Sequence, residues 1–208
     1  MIFYSTLNHS LGFLLAIGPL IAFLLSVSLF SDLSYDSTAF ALHISTGLRG
    51  SADRAGRVAA LASFAIPVVI ILTIASTWIS SSWAALPALL GLSIGILLSG
   101  LGLSSVTSAR FAFPVPEPGA SPFAARPGTS FTNSLTTLAI WGILAALVLP
   151  EIVLFVVAAI TDEALFGWTT LIVGILLGTA LLFTGIRRGG LILDRRSVDM
   201  LALLKRDR

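Results

Sequence analysis

Apolar residues fall in five long, unbroken runs, and the charged residues are swept into the gaps between them. The runs are Leu11 to Phe30, about Val58 to Ile79, about Ala84 to Val106, about Leu135 to Ile160 and about Gly167 to Ile186. A helix rises ~1.5 Å per residue, so ~20 apolar residues cross a hydrocarbon core ~30 Å thick. Each run meets that length. The runs are continuous and do not alternate, which argues against the strands of a membrane barrel. The pattern predicts an all-α, polytopic membrane protein with about five transmembrane helices in a domain over residues 1–190. A basic cytoplasmic tail over 191–208 follows.

Composition agrees with this reading. Apolar residues make up 56% of the chain, charged residues 11%, and the mean hydropathy is +1.01. A soluble domain carries about a quarter charged residues. The chain has no cysteine, which excludes disulfides, thiol catalysis and thiolate metal sites. The first residues, "MIFYSTLNHS", hold no Lys or Arg ahead of the first apolar run, so a secretory signal is disfavoured, although "SVS" at Ser26 to Ser28 resembles a weak cleavage site.

The distribution of charge gives an orientation. All twelve Lys and Arg lie in three places. Arg49, Arg54 and Arg57 fall between the first and second spans, and Arg110 and Arg126 between the third and fourth. Arg187, Arg188, Arg195, Arg196, Lys205, Arg206 and Arg208 follow the fifth. The remaining hairpins, "SSSW" and "TDEALFG", have none. Basic residues favour short cytoplasmic loops, so the N-terminus is expected outside and the C-terminus inside, in the cell membrane.

Two cytoplasmic connections stand out. In the first, Asp36 or Ser37 caps a short helix, and Phe40, Ile44 and Leu48 recur on one face. Gly47 and Gly50 punctuate its end, and the charges Arg49, Asp53, Arg54 and Arg57 follow. This reads as a surface helix, a turn and re-entry into the bilayer. The plainer alternative is a re-entrant loop held by snorkelling arginines. In the second, five of the nine prolines fall between Pro114 and Pro127. Pro114, Pro116 and Pro118, with Glu117 among them and Arg110 upstream, predict an extended strap. Phe111, Phe113, Val115 and Phe123 give that strap an apolar side. It is either a rigid linker beneath the helices or a surface for a cytoplasmic partner.

Within the spans, polar groups are few. Glu151 is the one carboxylate, and Pro150 beside it is expected to kink or break the fourth span. Glu151 lines a path, caps a broken helix or bonds to a neighbour. "GLSIG", Gly91 to Gly95, matches G-x-S-x-G, but the hydrolase elbow needs a strand before it and a basic partner. Here the motif sits in an apolar helix, and His9 and His43 both lie outside the spans. Packing explains it better: Gly91, Gly95 and Ser99 form one small-residue stripe, and Gly174 and Gly178 another. His43 reads as a polar-face residue. In the tail, Val198, Leu201 and Leu204 share a face amid basic residues, which suits an anionic leaflet or a partner. No Walker A lysine motif and no H-E-x-x-H occur, so no cofactor, metal, catalytic residue or nucleic-acid partner is expected.

Two stretches carry a resemblance. "YDSTAFALHISTGLRGSADRAGRV" is similar to the cytoplasmic loop of actinobacterial ABC-2-type transporter permeases. The matching positions are Tyr35, Asp36, Thr38, Ala39, Phe40, His43, Gly47, Gly50, Asp53, Arg54, Gly56 and Arg57. "SGLGLSSVTSARFAFPVPEPGASPFAARPG" resembles a second segment of the same family, through Ser104, Ser105, Pro114, Pro116, Pro118, Gly119, Pro122 and Phe123. The resemblance covers about residues 30 to 190. It implies an exporter subunit that forms part of the translocation path and couples to a separate cytoplasmic ATP-binding subunit. The loop from Asp36 to Arg57 would be the main coupling element and the strap a second contact. Permeases of that family have about twice as many spans, so the chain corresponds to their C-terminal part with one helix fewer. It would be a split subunit, a shortened relative or a part of a larger assembly, completed by a second permease chain or half. Two other readings compete. One is a non-transporting scaffold whose helices pack on partners through the glycine stripes. The other is a secondary transporter using Glu151 as a proton site.

Overall fold

The computed structural model describes residues 13–32, 47–111, 130–161 and 163–206. Among these residues there is no strand. Six α-helices follow in chain order: α1 Ile17–Val27, α2 Gly50–Ile79, α3 Leu86–Arg110, α4 Ser130–Leu147, α5 Leu149–Thr161 and α6 Ala164–Arg206. A 3-10 turn, Ser28–Ser31, extends α1, and another, Trp83–Ala85, leads into α3.

Helix α3 is the axis of the bundle and packs against all the other helices. Its sequence explains why. "GLSIGILLSGLGLSSVTSA" alternates large apolar residues with Gly and Ser, and small side chains let backbones approach closely. Leu89, Leu97 and Leu101 are buried, together with Gly91, Gly95, Gly100 and Gly102. Around α3, one apolar cluster joins Ala22 of α1 with Val58, Ala65 and Val69 of α2 and Leu97 and Leu101. A second joins Leu92 to Leu144 and Val148. Phe23 of α1 meets Trp141 of α4 edge to face, with ring centres 5.4 Å apart.

The contacts fix the relative directions. Ser26 lies against Gly100 and Gly18 near Ser93, so α1 and α3 run the same way. Gly91 faces Leu171 and Gly174, while Gly102 faces Leu181 and Gly185, so α6 also runs parallel to α3. Helix α2 runs the opposite way, bringing Arg54 to Ser108 and Thr73 to Gly18. Helices α4 and α5 oppose α3 as well, with Leu144 beside Gly100 and Glu151 beside Gly95.

Among the described residues, three helices are long and apolar enough to cross a membrane: Gly50–Ile79, the segment from Trp83 to Arg110, and Ala164–Arg196. The pair α4–α5 adds a fourth if it counts as one bent span. The predicted first span is described only from residue 13. Its regular helix α1, 11 residues, rises about 16 Å and falls short of a full crossing by itself.

The break expected at Pro150 is present. Helices α4 and α5 meet at 57°. Proline has no N–H to donate to the carbonyl four residues back, so the ladder is interrupted next to Val148, which joins the two segments. Replacing Pro150 by Ala is expected to reduce the bend. Spin-label distances between the far ends of α4 and α5 would lengthen.

Two boundaries differ from the sequence reading. Asp53, Arg54 and Arg57, expected in a loop ahead of the second span, lie in the first two turns of α2. The helix begins early because its charged side chains are paired, as described below. Helix α6 continues without interruption through the basic stretch, so residues 191–206 form one helix with the fifth span.

Candidate functional site

The arginine-rich end of the bundle is where the polar groups converge. It is built from the end of α1, the start of α2, the end of α3 and the later part of α6. Arg54 is 1% exposed. Its Nε and Nη2 both donate to Oδ2 of Asp53, at 3.0 and 2.7 Å. Its Nη1 donates to Ser108 Oγ of α3 at 2.6 Å and reaches Asp32 at 3.4 Å. Arg57, one turn on, donates from Nε to Asp53 at 3.0 Å and from Nη1 to Asp32 at 3.3 Å. Among the described contacts, two guanidinium groups thus pair with two carboxylates, positive against negative. That pairing makes burial tolerable, because an unpaired buried charge is very costly.

Helix ends at this site are capped from a distance. The N–H of Gly50, the first residue of α2, donates to Asp194 Oδ1 of α6 at 2.7 Å. Arg49, in the capping position, supplies no side-chain bond. Asp194 therefore satisfies one of the four free N–H groups that every helix start leaves over. Gly50 also lies against the carbonyl of Gly190; a Cβ there would sit 2.5 Å from that oxygen. At the end of α3, the carbonyl of Arg110 accepts from Arg196 Nη1 at 3.0 Å.

The remaining predicted residues divide in two. Arg49 is exposed in the extended segment before α2. Just ahead, Gly47 has φ +69°, a left-handed conformation that suits glycine. Arg110 closes α3, exposed, with its guanidinium 5.9 Å from the Phe111 ring centre. Asp36, Phe40, His43, Pro114, Pro116, Glu117 and Pro118 lie outside the described residues. So do the surface helix and the strap to which they belong.

Sequence reasoning found Asp53, Arg54 and Arg57 but missed Asp32 and Ser108, which bond to them, and Asp194 and Gly190, which meet Gly50. Asp32 and Asp194 carry a weak signal, as acids beside arginine-bearing segments.

Along the bundle axis, the two predicted small-residue stripes meet each other. Gly174 packs on the backbone of Gly91, and Gly178 lies 3.4 Å from Gly95 at its Cβ position. The seam continues through Gly102 against Gly185 and Gly189 against Ser105. Ser93, the central residue of "GLSIG", is wholly buried in α3 beside Gly18, with no strand before it.

Opposite the arginines, aromatic side chains collect. Trp78 ends α2, Trp83 opens the turn into α3 and Trp168 lies in the first turns of α6, all exposed. From Arg57 to Trp78 the helix rises about 32 Å, close to the hydrocarbon thickness of a bilayer. Tryptophan favours the membrane–water boundary. Phe64 and Ile71, between these ends, are exposed and apolar, as a lipid-facing surface requires.

Among the described residues no group of three or more His, Asp or Glu side chains is arranged to hold a metal ion. No family model, curated protein or solved structure matches the chain.

Proposed function

We propose that the chain is a membrane permease subunit of an ATP-binding cassette exporter, with its arginine-rich end in the cytoplasm. The observation that carries this reading is the clamp of Asp32 on Arg54 and Arg57. Asp32 closes the first helical segment, and Arg54 and Arg57 lie just inside the second. The connection over 33–46 therefore starts and finishes at one ion cluster. That cluster is also bonded to α3 through Ser108, and the start of α2 is bonded to α6 through Asp194. Force applied to the connection is delivered to four helices together. This is what an element driven by an external motor needs, since ATP hydrolysis in a separate subunit must be converted into helix movement.

In this reading Arg54 and Asp53 serve as internal anchors. The docking contacts themselves fall to Asp36, Phe40, His43 and the exposed Arg49, with Arg110 and the proline strap as a second contact. The alternating helix directions agree with an outside N-terminus and an inside C-terminus. A second permease chain or half completes the path.

The scaffold reading loses its main support, because the glycine stripes are consumed within the chain.

Purification of the tagged full chain from its native membrane in mild detergent tests the proposal. A nucleotide-binding subunit is expected among the recovered polypeptides. Changing Asp36 and His43 together to Ala should lower its recovery about tenfold, equivalent to ~1.4 kcal/mol of contact energy, without altering thermal unfolding. A complex lacking any nucleotide-binding subunit would overturn the assignment.

A further inference from the structure

The break between α4 and α5 places an acid where, among the described residues, no hydrogen-bond partner meets its carboxyl oxygens. Glu151 lies in the first turn of α5, just past the 57° bend. It is 0% exposed, and neither carboxyl oxygen has a hydrogen-bond partner among the described residues. Its seat is a notch in α3. A Cβ built on Gly95 would meet Glu151 Oε1 at 2.9 Å and Cγ at 3.3 Å, with the Cα of Gly174 at 3.2 Å. Gly95 leaves the space that the carboxyl fills, at the junction of α3, α5 and α6.

Among the described residues no counter-charge faces this seat. Helices α6, α3 and α4 are the elements packed against α5. Helix α4 has no titratable residue. Helix α3 has only Arg110, its last residue. Helix α6 has none until Arg187, well beyond Gly174, and Glu163 in the hairpin before it is exposed. Within α5, Glu151 is the sole titratable group. A metal cation would need several further oxygen ligands. A proton needs no extra space and removes the cost of an uncompensated charge in apolar surroundings.

We propose that Glu151 is a buried proton-binding site, loaded in the conformation described here. The neutral carboxyl lets α5 seat on Gly95. Losing the proton leaves a carboxylate that this seat cannot hold, so proton release and movement of α5 away from α3 are one event. The site is independent of the exporter assignment, which rests on the arginine-rich end of the bundle.

Infrared spectroscopy of the full chain in lipid nanodiscs at neutral pH tests this directly. The chain has ten Asp and Glu. One protonated-carboxyl C=O stretch is expected, sensitive to exchange into D2O and absent in Glu151→Gln. On raising the pH, the band should disappear together with a lengthening of spin-label distances between α5 and α3. The natural lack of cysteine makes such labelling specific. Glu151→Gln imitates the protonated acid, so it should fold, and its α3–α5 distance should stay short at every pH. Absence of the band from the unmodified chain at neutral pH would overturn the proposal. So would persistence of the band in Glu151→Gln, or failure of that variant to fold.

Discussion

Arg54→Ala should destabilise the bundle by about 3 kcal/mol, measured by thermal or denaturant unfolding in lipid nanodiscs. Removing one partner from a buried ion cluster typically costs ~3–5 kcal/mol, because the charge left behind stays buried. The lower end applies here: Asp32 and Arg57 keep 12% and 17% side-chain exposure at the rim of the bundle. Loss of Arg54 takes one guanidinium away from both Asp53 and Asp32, and Ser108 loses its donor. Arg54→Lys restores the charge but not the fork that reaches Asp53 and Ser108 together, so it should fall between the wild type and Ala. Adding Asp53→Asn to Arg54→Ala also removes the carboxylate charge that Arg54 held. That double variant should be more stable than Arg54→Ala, with a coupling of roughly 0.5–3 kcal/mol. Equal unfolding of the single and double variants would show that the cluster does not act as a unit.

The second large effect is expected along the seam between α3 and α6. At Gly91 an added Cβ would come within 2.5 Å of the backbone of Thr170 and Leu171. Backbone cannot rotate away as a flexible side chain can, so the helices must separate. Gly91→Ala should cost about 1–3 kcal/mol, the usual range for overpacking, and Gly91→Leu should abolish folded protein. Gly56 supplies the control. It lies on α2 with nothing within 4 Å of its Cβ position. There Gly→Ala should stabilise by ~0.5–1 kcal/mol, because alanine loses less backbone freedom in a helix. If both substitutions moved stability in the same direction, the seam would not be the tight contact described.

How much of this was legible in the sequence varies by feature. The apolar runs located α2, α3 and α6, since an unbroken apolar stretch of lipid-crossing length is a strong signal in itself. Pro150 marked the break in the fourth run because its missing N–H acts locally. The stripes at Gly91, Gly95, Gly174 and Gly178 were visible as stripes. Their pairing with one another was not, because helix register is a property of two segments far apart in the chain. The early start of α2 was hidden for a different reason. Read singly, Asp53, Arg54 and Arg57 interrupt an apolar run. Folded, they pair with one another and with Asp32, and the helix no longer needs water at that point. Asp194 was hidden in the same way, as one acid in a basic tail. The axial place of α3 could have been suspected from its Gly and Ser content, which exceeds that of the other spans.

Helix α6 carries a mechanical consequence. Its 43 residues extend for about 64 Å, roughly twice the thickness of a bilayer's hydrocarbon layer. It packs on α3 and on the start of α2 from Thr170 as far as Arg196, so most of its length is held in the bundle. A torque applied at its tip would turn the α3–α6 pair as one stiff body, with Asp194 and Arg196 as the stays.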